Sequence, residues 1–278
     1  MSSTDRYAVI GEHIAHSRSP QIHALFAKAT GQDMHYGLLD VPPERFEGAV
    51  NEFFGDGGRG LNVTVPHKQA ALRIADALTP RARRAGAVNT LARGVAGTAS
   101  EVLLGDNTDG AGLVRDLSIN LGCMLQGARV LLLGAGGAAR GIIAPLLESG
   151  LAELVICNRH ADRAQQLALE FREVGQISAL SSAGKDFRPY DLLINATSAS
   201  LNGELPLIPP GAVGRDTLCY DCAYLDRDTI FVRWARKAGA ARAVMGLGML
   251  IEQAAESFLL WRGVRPDTAP VLKALAKS

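Results

Sequence analysis

The chain has 278 residues, 47% of them apolar, and carries 29 basic against 28 acidic side chains. That length suits two domains of ordinary size, and the balanced charge leaves no electrostatic footprint for nucleic acid or an anionic membrane surface. No apolar run approaches the roughly 18 residues of a membrane span, and MSSTDRYAVIG lacks the regions of a signal peptide, so a soluble, cytoplasmic protein is expected.

Tyr7–Ile10 reads as a short strand ending at Gly11. The next loop carries AHSRSP (residues 15–20), and a helix runs from Gln21 towards Thr30, with Pro20 at its first position and Ser19 as its N-cap. Hydroxyls at such a helix start are also well placed to hold a carboxylate. His35–Leu39 predicts a second strand, Pro43–Phe54 a second helix, residues 55–60 a glycine-rich turn, and Leu61–Val65 a third, β-branched strand. Pro66-His67-Lys68 leads into a helix through Ala77. Lys68 thus falls at a strand-to-helix edge, where open α/β sheets place ligand groups, although a solvated surface lysine gives the same pattern. Ala87–Leu91 and Val102–Gly105 are further short strands; the second enters GDNTDG (residues 105–110), where Asp109 is read as the N-cap of a helix reaching about Leu121. The alternation predicts a small α/β unit.

The stretch VLLLGAGGAAR (residues 130–140) opens a second pattern. Four apolar residues run into a glycine turn, and Gly134, Gly136 and Ala139 fit G-x-G-x-x-G/A, the turn that seats a dinucleotide pyrophosphate at a helix N-terminus. Strands are expected at Leu154–Cys157, Gln176–Leu180, Asp191–Ala196, Leu218–Tyr220 and Arg242–Met245, with helices at Asp162–Glu173, Ile230–Ala238 and Met249–Arg262. The outline is a doubly wound parallel sheet. In such a sheet the residue ending the second strand, about 20 positions past the glycines, meets the adenine ribose. Here Asn158-Arg159 stands there, with Arg163 one turn on and no acid before Asp162. Guanidinium groups match a 2′-phosphate, so the pattern favours NADP over NAD.

Cys219 and Cys222 form a lone C-x-x-C without further ligands at zinc spacing, and no metal is expected. Asn62-Val-Thr64 and Asn195-Ala-Thr197 match the glycosylation sequon, which carries no meaning without a secretory signal. No G-x-S-x-G elbow supports a hydrolase.

Nine motifs in one order, AHSRSP, GGRGLNVTVPHK, AGAVNTL, LLGDNTDG, LLLGAGGAARG, NRHADRA, LLINATS, YDCAY and GLGMLIEQAA, closely resemble the shikimate dehydrogenase family along nearly the whole chain. The resemblance implies a substrate domain formed by residues 1–110 with 248–278 and a Rossmann-type NADP domain at 111–247. It implies reversible hydride transfer between NADPH and the 3-keto group of 3-dehydroshikimate. Lys68 and Asp109 are then the catalytic pair. Ser17 and Ser19 would contact the substrate carboxylate, and Asn62, Thr64, Asn89, Asp109, Tyr224 and Gln253 would hold the ring hydroxyls and that carboxylate. The cofactor set becomes Gly134, Ala135, Gly136, Gly137, Ala138, Asn158, Arg159, His160, Arg163, Thr197, Cys222 and Gly246.

Three positions depart from the family pattern: His160 where NRT is usual, NATSAS without its usual following glycine, and Cys222 where methionine is common. They leave open a paralogue preferring quinate or an aminoshikimate. A non-catalytic NADP-binding sensor is the alternative of another class, and the intact Lys68/Asp109 pair argues against it. A monomer and a homodimer are both compatible with the sequence, since no dimer seam is legible.

Overall fold

The computed structural model describes residues 4–95, 99, 101–180 and 188–276. The chain forms two compact units, Met1–Gly112 with Leu250–Ser278, and Leu113–Met249.

The first unit is built on a mixed 6-stranded sheet. Its strands are β1 (Asp5–Gly11), β2 (Met34–Asp40), β3 (Gly58–Val63), β4 (Ala77–Leu78), β5 (Thr90–Ala92) and β6 (Leu104–Asp106), in the order β2-β1-β3-β5-β6-β4. β1 pairs in parallel with β2 and β3, whereas β5 runs antiparallel to β3 and β6. Helices α1 (Ser19–Thr30), α2 (Phe46–Gly55), α3 (Lys68–Ile74) and α4 (Pro80–Ala85) join these strands, and α5 (Asp109–Arg115) follows β6. α1 buries Ile22, His23, Phe26 and Ala27, a stripe at helical spacing. Phe46, Val50 and Phe54 of α2 pack with Ala8, Ile10, Leu61 and Val63 of the strands.

The second unit carries β7 (Arg129–Leu133), α6 (Gly137–Glu148), β8 (Glu153–Cys157), α7 (Ala161–Phe171), β9 (Ile177–Ala179), β10 (Leu192–Asn195), β11 (Leu218–Asp221), α8 (Ile230–Lys237) and β12 (Arg242–Met245). Its sheet is wholly parallel in the order β12-β11-β10-β7-β8-β9. Read from β9, that is the 3-2-1-4-5-6 order of a dinucleotide-binding fold, with its switch point between β7 and β10. Burial on both faces explains the near-continuous apolar runs VLLL and LVIC. α9 (Leu247–Arg262) and α10 (Ala269–Leu275) end the chain.

Several sequence expectations are corrected. α1 begins at Ser19 itself, and the N-cap position falls on Arg18, with no side-chain cap. The turn expected at residues 55–60 is shorter, because Gly58 and Gly60 already pair with Arg6 and Tyr7 of β1. The helix after Lys68 stops at Ile74, since Asp76 and Ala77 instead donate their N–H groups to Leu103 O and start β4. α4 was hidden by its sequence, PRARRA, which has no apolar period; Thr79 caps its start by accepting from Ala82 N at 3.2 Å, and Gly86 ends it in a left-handed conformation. The helix from Asp109 is α-helical only to Arg115, and residues 116–120 widen into a π turn.

Candidate active site

In the first unit, strand ends and two helix starts bring polar side chains together. Lys68 is the first residue of α3, and its ammonium donates to Asp109 Oδ2 at the start of α5. Both side chains are largely shielded, 15% and 7% exposed. Lys68 is therefore not a solvated surface lysine. Nor does Asp109 serve as an N-cap: it lies inside the helix start, and its own N–H is capped by Asn107 Oδ1 at 3.2 Å. Its carboxylate is left for the ammonium and for Asn89, whose Nδ2 donates to Oδ1 at 2.8 Å.

Asn89 ties the group together. Its Oδ1 accepts from Thr108 N at 2.8 Å and from the Thr90 hydroxyl at 2.8 Å, and its Nδ2 lies 3.3 Å from Gln253 Oε1. Gln253 reaches it from α9 because Gly112 lets that helix approach α5; a Cβ at residue 112 would lie 2.6 Å from Gln253 N. Asn62, on β3, accepts from the Tyr36 hydroxyl at 2.7 Å and donates to Ser257 Oγ at 2.9 Å. Ser17 and Ser19 sit together at the start of α1, where Ser19 N donates to Ser17 Oγ at 3.3 Å. Thr64 is half-buried just past β3, with its methyl directed at Gly11. Tyr224 alone of the expected substrate residues belongs to the second unit.

Sequence reasoning missed Tyr36, Thr90, Thr108 and Ser257. Ser257 was within reach: it lies four residues after Gln253, on the same face of α9, and that spacing alone pairs them.

In the second unit, Gly134 stands at φ +109°, a backbone conformation that disfavours any side chain, and a Cβ there would meet Thr197 Cγ2 at 3.0 Å. Gly136 differs, since a Cβ would meet nothing within 4 Å. Packing within the protein does not demand glycine there; the open space lies before the N-terminus of α6, a 12-residue helix without a side-chain cap. Unused N–H groups facing open space are what a pyrophosphate requires. Ala135, Gly137 and Ala138 line the same turn, and Ala139 is fully buried against the sheet. Asn158 follows β8 and donates from Nδ2 to His160 O at 3.0 Å, which shapes the loop into α7. Arg159, His160 and Arg163 are exposed there, and among the described residues neither arginine has an acidic partner. Two uncommitted guanidinium groups beside an open glycine turn fit a phosphorylated dinucleotide.

Thr197 donates to Asn195 Oδ1 at 2.7 Å, Cys222 N donates to Asn195 O at 2.9 Å, and Gly246 N donates to Ala223 O at 3.1 Å. These three residues therefore share one edge of the parallel sheet. Cys219 faces the core of β11, where burial pushes its thiol up to about 12, away from the reactive thiolate. Both sequon asparagines, Asn62 and Asn195, are buried with their amides engaged. Among the described residues no helix is long and apolar enough to cross a membrane, and no cluster of His, Cys, Asp or Glu is placed to hold a metal ion.

Comparison with known proteins gives consistent matches along the chain. Residues 9–91 match the model of the shikimate dehydrogenase substrate binding domain, residues 117–204 that of shikimate / quinate 5-dehydrogenase, and residues 246–276 that of the shikimate 5′-dehydrogenase C-terminal domain. The chain is 55% identical over 272 residues to the shikimate dehydrogenase (NADP(+)) of Alkalilimnicola ehrlichii, covering 98% of each chain. It is 52% identical to that of Methylococcus capsulatus, covering 99% of this chain and 97% of the relative. The crystal structure of shikimate 5-dehydrogenase from Thermus thermophilus, in complex with NADP(H) and shikimate, superposes with a TM-score of 0.85 at 35% identity, over 98% of this chain and 99% of the other.

Proposed function

The chain belongs to the shikimate dehydrogenase family, and on that premise we propose that it catalyses the reversible, NADP-dependent interconversion of 3-dehydroshikimate and shikimate. The observation that carries this reading is the shielded Lys68–Asp109 pair, framed by Asn89 and Gln253. NADPH supplies the hydride that reduces the 3-keto carbon.

The reduced ketone gains negative charge on its oxygen, and that oxygen needs a proton as the alkoxide develops. The Lys68 ammonium provides both an electrostatic partner and the proton. Asp109 sets the direction of that ammonium through Oδ2, and Asn89 in turn holds Oδ1, so the pair is oriented before substrate arrives. Asn62, Thr64, Asn89 and Gln253 are short amides and a hydroxyl, suited to a ring carrying several hydroxyl groups, while Ser17 and Ser19 take the carboxylate. Tyr224 is a further substrate residue by the match of YDCAY to the family motif. A site built to hydrogen-bond each hydroxyl rejects analogues lacking one, because its own buried polar groups would be left unpaired.

On the cofactor side, Gly134 and Gly136 keep the turn open for the pyrophosphate, and Arg159 and Arg163 clamp the 2′-phosphate. His160 supplies a further ring nitrogen beside them, and Thr197, Cys222 and Gly246 face the nicotinamide half.

Initial rates measured with NADP⁺ or NAD⁺, each against shikimate and quinate, test the proposal. Shikimate with NADP⁺ should give the highest kcat/KM of the four. Quinate preferred over shikimate, NAD⁺ preferred over NADP⁺, or no turnover with either acid would each overturn it.

A further inference from the structure

Asp221, the last residue of β11, is fully buried, and its carboxylate is held by neutral donors. Ser200 Oγ and Thr229 Oγ1 donate to Oδ2 at 2.6 and 2.7 Å; Asn195 Nδ2 and Ala223 N donate to Oδ1 at 3.0 and 3.2 Å. Among the described residues no lysine, arginine or histidine pairs with it.

The hydrogen-bond inventory says which form is present. A proton on Asp221 would need an acceptor. Asn195 Nδ2 and Ala223 N have only hydrogens to offer. A proton on Oδ2 would force one of the two hydroxyls to turn its own hydrogen away from Asp221, and each already accepts once, Thr229 Oγ1 from Val232 N at 3.2 Å and Ser200 Oγ from Asn195 Nδ2 at 3.2 Å. Four donors converging on an acceptor-only group describe a carboxylate anion. Burial raises the pKa above the usual carboxylate value, and the four donors, each lowering it, offset only part of that shift. The result is a fixed negative charge without a counter-cation.

Its place in the fold gives that charge a use. The ribose position follows β8 at Asn158, and the switch point lies between β7 and β10. A dinucleotide lying along this sheet edge therefore carries its second half towards the ends of β10 and β11. Asp221 is at that end of β11, next to Cys222 and one strand from Thr197. The nicotinamide ring is cationic when oxidised and neutral when reduced.

We propose that Asp221 is a cofactor-tuning residue, whose uncompensated carboxylate favours the oxidised, positively charged nicotinamide over the reduced one. The assignment rests on the NADP reading above. Asp221 acts through space and touches neither substrate nor reacting atoms. It raises affinity for NADP⁺ relative to NADPH, and so shifts the balance between the two directions on the enzyme.

The test is direct binding, without turnover. Dissociation constants for NADP⁺, NADPH and 2′,5′-ADP, which lacks the nicotinamide half, are measured by calorimetry for the wild type, Asp221→Asn, and the exchange variant Asn195→Asp/Asp221→Asn. Asp221→Asn should raise the Kd ratio of NADP⁺ to NADPH by roughly three- to tenfold, the scale of one unit charge acting through protein beyond contact distance. Its affinity for 2′,5′-ADP should stay unchanged. The exchange variant keeps one carboxylate within the same network, so its ratio should remain at or below the wild-type value. A ratio unchanged in Asp221→Asn with intact 2′,5′-ADP binding overturns the assignment. So does a ratio raised equally in the exchange variant, which also carries the test if the single substitution fails to fold. A wild-type chain that binds neither 2′,5′-ADP nor either nucleotide overturns the NADP reading itself.

Discussion

Replacing His23 with phenylalanine should remove much of the acid sensitivity of the first unit. The imidazole is fully buried and lies nearly parallel to the Tyr36 ring, with centroids 4.1 Å apart. Phe26, Phe258 and Trp261 surround it, and neither ring nitrogen has a hydrogen-bond partner. Burial among these rings lowers the pKa from 6.5 to about 3, and the neighbouring Asn62 side chain opposes only part of that shift. As pH falls through 6.5 the unfolded chain takes up a proton here, while the folded chain stays neutral until about 3. Between those values the unfolded state binds more protons, so this contribution is intact above 6.5 and lost progressively towards 3. At about 1.4 kcal/mol per pH unit, roughly 3 kcal/mol is gone by pH 4.5. Urea melts at pH 7.5 and 4.5 measure it. The wild type should lose about 3 kcal/mol more than His23→Phe over that interval, because the other titrating groups are common to both. At pH 7.5 the variant should be no less stable, since it deletes two buried polar atoms without partners at little cost in volume. Parallel pH dependences in the two proteins would refute the reasoning.

Lys68→Ala should lower kcat by roughly 10²–10⁴ with KM comparatively intact, as loss of a proton donor acting in the transition state requires; a near-normal kcat removes Lys68 from the chemistry. Substituting alanine at both Arg159 and Arg163 should raise KM for NADP⁺ by roughly 10- to 100-fold and leave NAD⁺ almost unaffected, from the strength of charge-assisted phosphate contacts. An unchanged ratio of the two KM values sinks the 2′-phosphate assignment. Gly112→Ala forces α9 away from α5, because a Cβ would lie 2.6 Å from Gln253 N; KM for shikimate should rise more than kcat falls, and identical kinetics would show that Gln253 needs no such approach. Arg81→Met leaves the Asp106 carboxylate, 1% exposed, without its bidentate partner. A loss of about 2–3 kcal/mol in unfolding free energy is expected after allowing for the partial exposure of Arg81, and Arg81→Lys should recover little of it because a lysine cannot reproduce the fork.

Both units were legible in the sequence to different depths. The second announces itself locally, because the turn at Gly134 needs glycine for its φ and the apolar runs VLLL and LVIC need burial on both faces. Such signals lie within a few residues of each other. In the first unit the elements were obscured wherever tertiary pairing decided the outcome: Gly58 and Gly60 look like a turn until β1 runs alongside, and Ala77 looks helical until β6 takes it. Lys68 and Asp109 had bland local readings as well, a surface charge and a helix cap. What separates function from those readings is a stretch of chain, 41 positions from Lys68 to Asp109, folded so that the ammonium meets the carboxylate.

The same distance hides what supports the pair. Asp106 accepts from Arg81 Nε at 2.7 Å and from Asn107 N at 2.8 Å, and Asn107 Oδ1 caps Asp109. On α9, Glu256 accepts from Arg81 at 3.5 Å and from Arg265 at 3.0 Å, while Glu252, four residues earlier, accepts from Arg265 at 2.8 Å. Alternating charges thus run from the loop that presents Asp109 to the helix that presents Gln253. The sequence shows Glu252 and Glu256 only as two acids at helical spacing. Their partners come from α4, which has no apolar period, and from the turn before α10. Because each charge in this ladder is satisfied by the next, removing one strands its neighbour in a shielded position. Arg81 joins Asp106 to Glu256 in that ladder, so its loss should register both as destabilisation and as a weaker grip on the substrate. A stability loss with KM for shikimate untouched would separate the ladder from the site and leave it a purely structural brace.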